Sequence, residues 1–213
     1  MNKKYVYGGI GAGIAIAAIM VGFYILNSKP DASTSSLNLD FTYDEANSQL
    51  KNSMNSSGIQ MSSALKFSQP KDIEKWCSFF NDPDKQKLVE YCTSTELRDK
   101  NGNFLGNIHM VGSPDAPKLV AVILQSDPMM SQFEQIKTVL DIVTKDLVCT
   151  CWEQVKPNGY TTIQDWVNAL RDFHTGGDKP HSKSKPILLA SKHLQIELTT
   201  NKDGYLWELL IAR

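Results

Sequence analysis

Residues 6–26 carry no charge, no Asn and no Gln, and this run limits what the chain can be more than any other feature. At ~1.5 Å of rise per residue, a helix over it reaches about 31 Å, the thickness of a bilayer's hydrocarbon core. The reading is one N-terminal transmembrane helix. Lys3 and Lys4 precede it, Tyr5, Tyr7 and Tyr24 stand near its ends, and Lys29-Pro30 closes it. Basic residues tend to stay on the cytoplasmic side, so residues 1–5 form a short cytoplasmic N-terminus and the chain after residue 26 lies outside. A cleaved secretory signal competes with this reading. The run exceeds the ~7–15 residues of a signal core, however, and only Asp31-Ala32-Ser33 offers an arguable cleavage site. An uncleaved, single-pass signal anchor in the cell membrane is therefore the expectation. Gly9 and Gly13 form a Gly-x-x-x-Gly within it, a pattern that lets two membrane helices approach closely and allows a homodimer.

Past the run the composition turns to Ser, Thr, Asn and Gln. Residues 27–58 read as a flexible tether, because Asp31-Ala32-Ser33-Thr34-Ser35-Ser36 has little to bury. Within it the spacing outlines a short helix over residues 43–54, with Ala46, Leu50 and Met54 on one stripe. Asn55-Ser56-Ser57 is a glycosylation triplet, meaningful because this segment is placed outside the cytoplasm.

Residues 59–213 are long enough for one compact domain. Ile73, Trp76, Cys77 and Phe80 follow Pro70 at helical spacing and predict a short helix with one buried face. Val89, Tyr91, Thr93, Thr95 and Leu97 alternate as in a strand, Asp99-Lys100-Asn101-Gly102-Asn103 supplies a turn, and residues 104–111 return. The nearly unbroken apolar run over residues 119–124 reads as a buried central strand, completing a three-stranded meander. Phe133, Ile136, Leu140, Val143 and Leu147 then step by three and four, predicting a helix over 131–148. A second helix carries Ile163, Trp166, Val167, Leu170 and Phe173, with Thr162 and Asp165 as a capping box and Gly176 as its stop. Leu194, Ile196 and Leu198, the turn 201–204, and Tyr205, Trp207, Leu209 and Ile211 make a C-terminal hairpin. The sum is an α+β domain: a mostly antiparallel sheet, a meander plus a hairpin, packed with two to three helices on one side.

The sum of 22 Lys+Arg and 23 Asp+Glu leaves a net charge of −1, which argues against a nucleic-acid partner. Chemistry has to be sought in the cysteines and histidines. Four cysteines, Cys77, Cys92, Cys149 and Cys151, lie on the outer side of the membrane, where disulfides persist. A bridge across the single residue between Cys149 and Cys151 closes a very small ring, so the expected frameworks join Cys77 and Cys92 each to one of that pair. The sharper alternative is a thiol redox or metal site. Two thiolates on one face of an extended Cys149-Thr150-Cys151 suit copper or zinc, with His109 as a further ligand. His109, His174, His181 and His193 match no zinc signature, and there is no Cys-x-x-Cys. The segment 174–181, with Gly176-Gly177, reads as a solvated connection that could carry function as a loop. Trp76, Trp166 and Trp207 fall on buried faces, which leaves Trp152 as the candidate for a sugar-binding platform. No nucleophile elbow, phosphate loop, dinucleotide fingerprint or His-Glu-x-x-His occurs, so no catalytic residue and no cofactor is named. The function expected is an anchored, extracytoplasmic binding or interaction domain for a protein or small-molecule ligand. The alternative is a membrane-tethered redox or metal-handling protein using Cys149 and Cys151.

Overall fold

The computed structural model describes residues 37–213 except 81, 82 and 178. The apolar run 6–26, the Gly9/Gly13 pair and residues 1–5 lie outside the described residues. Among the described residues no helix is long and apolar enough to cross a membrane.

The elements in chain order are α1 (Tyr43–Ser56), β1 (Gln60–Met61), β2 (Leu65–Phe67), α2 (Pro70–Trp76), α3 (Pro83–Gln86), β3 (Tyr91–Arg98), β4 (Phe104–Gly112) and β5 (Pro117–Ser126). They continue with α4 (Phe133–Leu147), α5 (Trp152–Val155), a 3-10 turn (Pro157–Gly159), α6 (Ile163–Thr175), β6 (His181–Lys183), β7 (Ile187–Leu189), β8 (Lys192–Asn201) and β9 (Gly204–Ala212). The protein is α+β. All strands pair antiparallel in one nine-stranded sheet. β1 and β2 both lie against β3, the order then runs β4, β5, β9, β8, and β6 and β7 share the far edge. The apolar run at 119–124 lies in β5, at the centre, where both faces of a strand are buried. The meander β3–β4–β5 meets the hairpin β8–β9 through the β5–β9 pairing. That hairpin turns tightly beside the end of β5. Gly204 sits at φ +135°, where a Cβ would strike the backbone of Ser126 and Asp127, so the close approach needs glycine.

Strand alternation gives the sheet two different faces. The first carries Leu194, Ile196 and Leu198 of β8 and Trp207, Leu209 and Ile211 of β9, under the apolar stripes of α1, α4 and α6. Each helix exists for a local reason. α6 is closed by the reciprocal capping box of Thr162 and Asp165 and buries Ile163, Trp166, Val167, Leu170 and His174, while α4 buries Phe133, Ile136, Leu140, Val143 and Leu147.

Helix α1 corrects the tether reading. Thr42 and Glu45 form a second capping box, and Tyr43, Ala46, Leu50 and Met54 are all buried in the main core. Leu39 N–H donates to Pro117 O at 2.7 Å, and Asp40 pairs with the buried Lys192 at 2.7 Å. The folded part therefore extends well before residue 59. A sparse apolar stripe suffices there because three helices share one dry layer, and Asn47, which accepts a 2.9 Å hydrogen bond from Thr95 Oγ1, ties α1 to the sheet.

The expectation of helices on one side of the sheet is also corrected. The second face carries a smaller cluster of Ile73, Cys77, Phe79, Val89, Cys92, Val111, Leu119, Ala121, Ile123, Leu206 and Leu210, to which α2 and the segment after it contribute. Gln86 organises that segment. Its Oε1 accepts from the backbone N–H of Phe79 and Phe80 at 3.1 and 3.2 Å, and its Nε2 donates to Cys77 O at 3.1 Å. Trp76, expected inside, is 38% exposed with Lys75 over its ring, because α2 ends there and only Ile73 and Cys77 reach the sheet.

Candidate functional site

At the C-terminal end of α6 the helical stripe can continue through either Phe173 or His174, one residue apart. The structure turns the histidine inward: His174 is buried, whereas Phe173 is exposed with the Lys179 ammonium 4.4 Å above its ring. His174 is inside because both its nitrogens find hydroxyls. Nδ1 lies 2.9 Å from Ser182 Oγ on β6, and Nε2 lies 2.8 Å from Thr200 Oγ1 on β8. The ring also meets Tyr205 edge-on at 5.8 Å between centroids. Burial, then the nearby charges of His181 and Lys179, pull the His174 imidazole below its ordinary range. It is neutral at neutral pH, with one nitrogen donating and one accepting.

This histidine is the floor of an open cleft of about 350 Å³, lined by His174, Thr175, Lys179, Pro180, Thr200 and Tyr205. The segment after α6 is held at both ends, since Lys179 N–H donates to His174 O at 3.3 Å and Thr200 N–H donates to Pro180 O at 2.9 Å. Helix end, edge strand and hairpin tip thus converge on one concavity. Two threonines, a lysine and a tyrosine line it around the imidazole, a set suited to a small hydroxylated or anionic molecule. Of these residues, the sequence pointed to His174 and the loop 174–181. It missed Ser182, Thr200 and Tyr205, because they come to the histidine from other strands.

The second face holds the other polar concentration. Glu197 and Glu208 are cross-strand partners in the β8–β9 hairpin, both are buried, and Oε1 of each lacks a hydrogen bond. Burial pushes the Glu208 carboxyl up to about 7, with the charge of Glu197 adding to it. Burial also raises Glu197, against the pull of His181, 3.3 Å from its Oε2, and of Lys183. On the same face, burial holds His109 down at about 4 while its ring lies 4.9 Å from Phe79.

The cysteines pair otherwise than expected. Cys77 is bonded to Cys92 and Cys149 to Cys151, leaving no free cysteine. The reason is the sheet itself. Cys77 and Cys92 belong to the second-face cluster, whereas Cys149 and Cys151 pack on the first, so the sheet separates the two pairs. The chain leaves α4 at Val148, with φ −117° and ψ −75°, and the turn that follows brings the Cα atoms of Cys149 and Cys151 to 5.2 Å. In a chain-entropy account the bridge with a separation of 15 contributes about 3 kcal/mol, and a bridge over one residue about half of that.

His109 is likewise on the other face from Cys149 and Cys151, so the three do not meet. Among the described residues no cluster of three or more His, Cys, Asp or Glu could hold a metal ion. Trp152, the candidate for a sugar-binding platform, is instead buried against Trp166 at 5.3 Å and donates its Nε1–H to Tyr160 O at 3.2 Å. Asn55 is exposed at the end of α1, open to solvent as a glycosylated residue must be. No protein-family model, curated protein or solved structure matches the chain.

Proposed function

We propose that this chain is a single-pass, membrane-anchored protein whose domain lies outside the cytoplasm and binds a small hydroxylated or anionic molecule in the cleft over His174. The observation that carries the reading is the convergence of Thr175, Lys179, Thr200 and Tyr205 on one cleft above a buried imidazole. A buried histidine anchored at both nitrogens fixes the Thr200 hydroxyl in place, and preorganised polar groups lower the cost of holding a ligand. The apolar run 6–26 and the two basic residues ahead of it support the anchor and its orientation. The Cys77–Cys92 disulfide supports an oxidising compartment.

The test uses the full chain in detergent micelles and thermal unfolding with citrate, inorganic phosphate and glucose as probes. At least one probe is expected to raise the midpoint in the wild type and to lose that effect in Thr200→Val and Lys179→Ala. Equal shifts in wild type and both variants, or none with any probe, would remove the cleft as the binding site. Protease accessibility of the domain in intact cells checks the placement, and a domain cleaved only after lysis would reverse it.

A further inference from the structure

We propose that the Cys149–Cys151 bond is an exchanging disulfide, which takes up electrons from the thiols of an external partner. The inference does not rest on the cleft at His174. Its starting point is the difference between the two bridges. Cys77 and Cys92 are fully buried and join segments 15 residues apart, so that bond restrains the chain and excludes solvent. Cys149 and Cys151 are half-buried, flank the exposed Thr150, and restrain one residue that the flanking helices already hold. Such a bond adds little to the architecture and is open to attack.

The surroundings keep the two sulfurs together whether or not they are bonded. Cys149 N–H donates to Thr144 O at 3.2 Å on the last turn of α4, and Cys151 O accepts from Gln154 and Val155 N–H, each at 3.1 Å, on α5. Trp152, packed on Trp166 and hydrogen-bonded to Tyr160, pins the far side. A reduced pair therefore stays close enough to re-form its bond, as a reversible redox couple requires. No free cysteine remains in the chain, and the sheet separates this pair from the other, so the attacking thiol comes from outside.

A partner thiolate attacks one sulfur of the pair, a mixed disulfide forms, the Cys149–Cys151 bond breaks, and the displaced sulfur leaves as a thiolate. A second partner thiolate attacks the partner's sulfur in the mixed disulfide. That releases the oxidised partner and leaves both cysteines as thiols, with two electrons and two protons transferred. An external disulfide such as oxidised glutathione returns the pair to its starting state by the reverse sequence. The shared chemistry is an accessible thiol, and the source is either a small thiol or a protein dithiol.

The full chain in detergent micelles is equilibrated in graded mixtures of reduced and oxidised glutathione, then alkylated and mapped by mass. The expected result is that Cys149 and Cys151 titrate together between disulfide and dithiol while Cys77 and Cys92 remain bonded. In Cys149→Ser a glutathione adduct should accumulate on Cys151. A parallel arm follows oxidation of a dithiol peptide, whose rate should fall to background in the Cys149→Ala/Cys151→Ala double variant. Activity in one arm only identifies the partner as small thiol or protein dithiol. A pair that stays oxidised where Cys77–Cys92 is reduced, or one that is recovered only as free thiols, overturns the proposal. The wild-type titration decides this even where a variant fails to fold.

Discussion

Successive residues of β8 and β9 build two unlike surfaces. Toward α1, α4 and α6 they present Leu194, Ile196, Leu198, Trp207, Leu209 and Ile211, without a charge. Toward the other side the same two strands present Gln195, Glu197 and Glu208, also buried, beside Leu206 and Leu210, and β4, one strand beyond β5, adds His109. One face stabilises by excluding water from apolar groups. The other, beside its smaller apolar cluster, buries groups that water would solvate better, and these give it a response to pH. Burial alone therefore does not rank residues by their contribution to stability, because its sign depends on what is buried.

The largest effect expected belongs to the first face. Trp207 is fully buried with Phe133 5.4 Å away, and Trp207→Ala should lower the unfolding free energy by about 3–5 kcal/mol in a denaturant titration. Its sequence neighbour points the other way. Glu208→Gln should raise stability at pH 8 by on the order of 3 kcal/mol, because a carboxyl held near 7 instead of 4.5 costs that much when ionised. If both substitutions destabilise, the contrast between the faces fails.

The pH dependence sharpens the contrast. A raised carboxyl such as Glu208 binds its proton more tightly in the folded state, so its penalty is absent below about 4.5, grows as pH rises, and is complete above about 7. Glu197 acts with the same sign. His109, held down at about 4 against 6.5, has the opposite sign: its contribution is complete above 6.5 and is lost as pH falls toward 4. His174, also lowered, acts with His109. The wild type should therefore show a shallow profile between pH 4.5 and 6.5, where the two kinds of group oppose each other. Glu208→Gln should uncover a stability that climbs with pH across that window. A profile in the variant as shallow as the wild type's would show that Glu208 does not titrate as its burial requires.

Much of this architecture is legible in the sequence, and the residues say why. The stripes of α4 and α6, the capping box at Thr162 and the central strand at 119–124 are local patterns, and the structure contains all of them. The hairpin register is local too: with Asn201 opposite Gly204, Glu197 must face Glu208, so the acid pair could have been counted from the turn. Three kinds of feature were not legible. The helix α1 and its stripe of Ala46, Leu50 and Met54 were read, but its place in the folded domain was not, because its polar composition hides its packing against α4. Phe173 and His174 both fit the stripe, and the choice between them was made by Ser182 and Thr200, which arrive from β6 and β8. The cysteine pairing depended on which face each residue occupies, and spacing alone does not tell that. Only one member of the cleft triad of His174, Thr200 and Tyr205 was singled out, since tertiary structure alone brings the three together.

The smallest effect tests how the two faces are covered. Over the first face, α6 begins with Thr162, whose hydroxyl accepts from Asp165 N–H at 3.0 Å while Asp165 Oδ2 accepts from Thr162 N–H at 2.9 Å. Removing that hydroxyl leaves a helix-end donor without its partner, so Thr162→Ala should cost about 1 kcal/mol. His174 stands at the opposite end of α6, so probe binding in the cleft should be unchanged. Over the second face, α2 begins at Gln69, which makes no side-chain cap. Gln69→Ala should leave stability within about 0.5 kcal/mol of the wild type. Gln69 already has the extended backbone of a capping residue, with φ −87° and ψ 133°, so Gln69→Asp should gain up to about 1 kcal/mol. If Gln69→Ala costs as much as Thr162→Ala, α2 is held by its own terminus after all. If Gln69→Asp gains what Thr162→Ala loses, the covering of the second face is the weaker one because it lacks this cap, and the Cys77–Cys92 bond is what holds it in place.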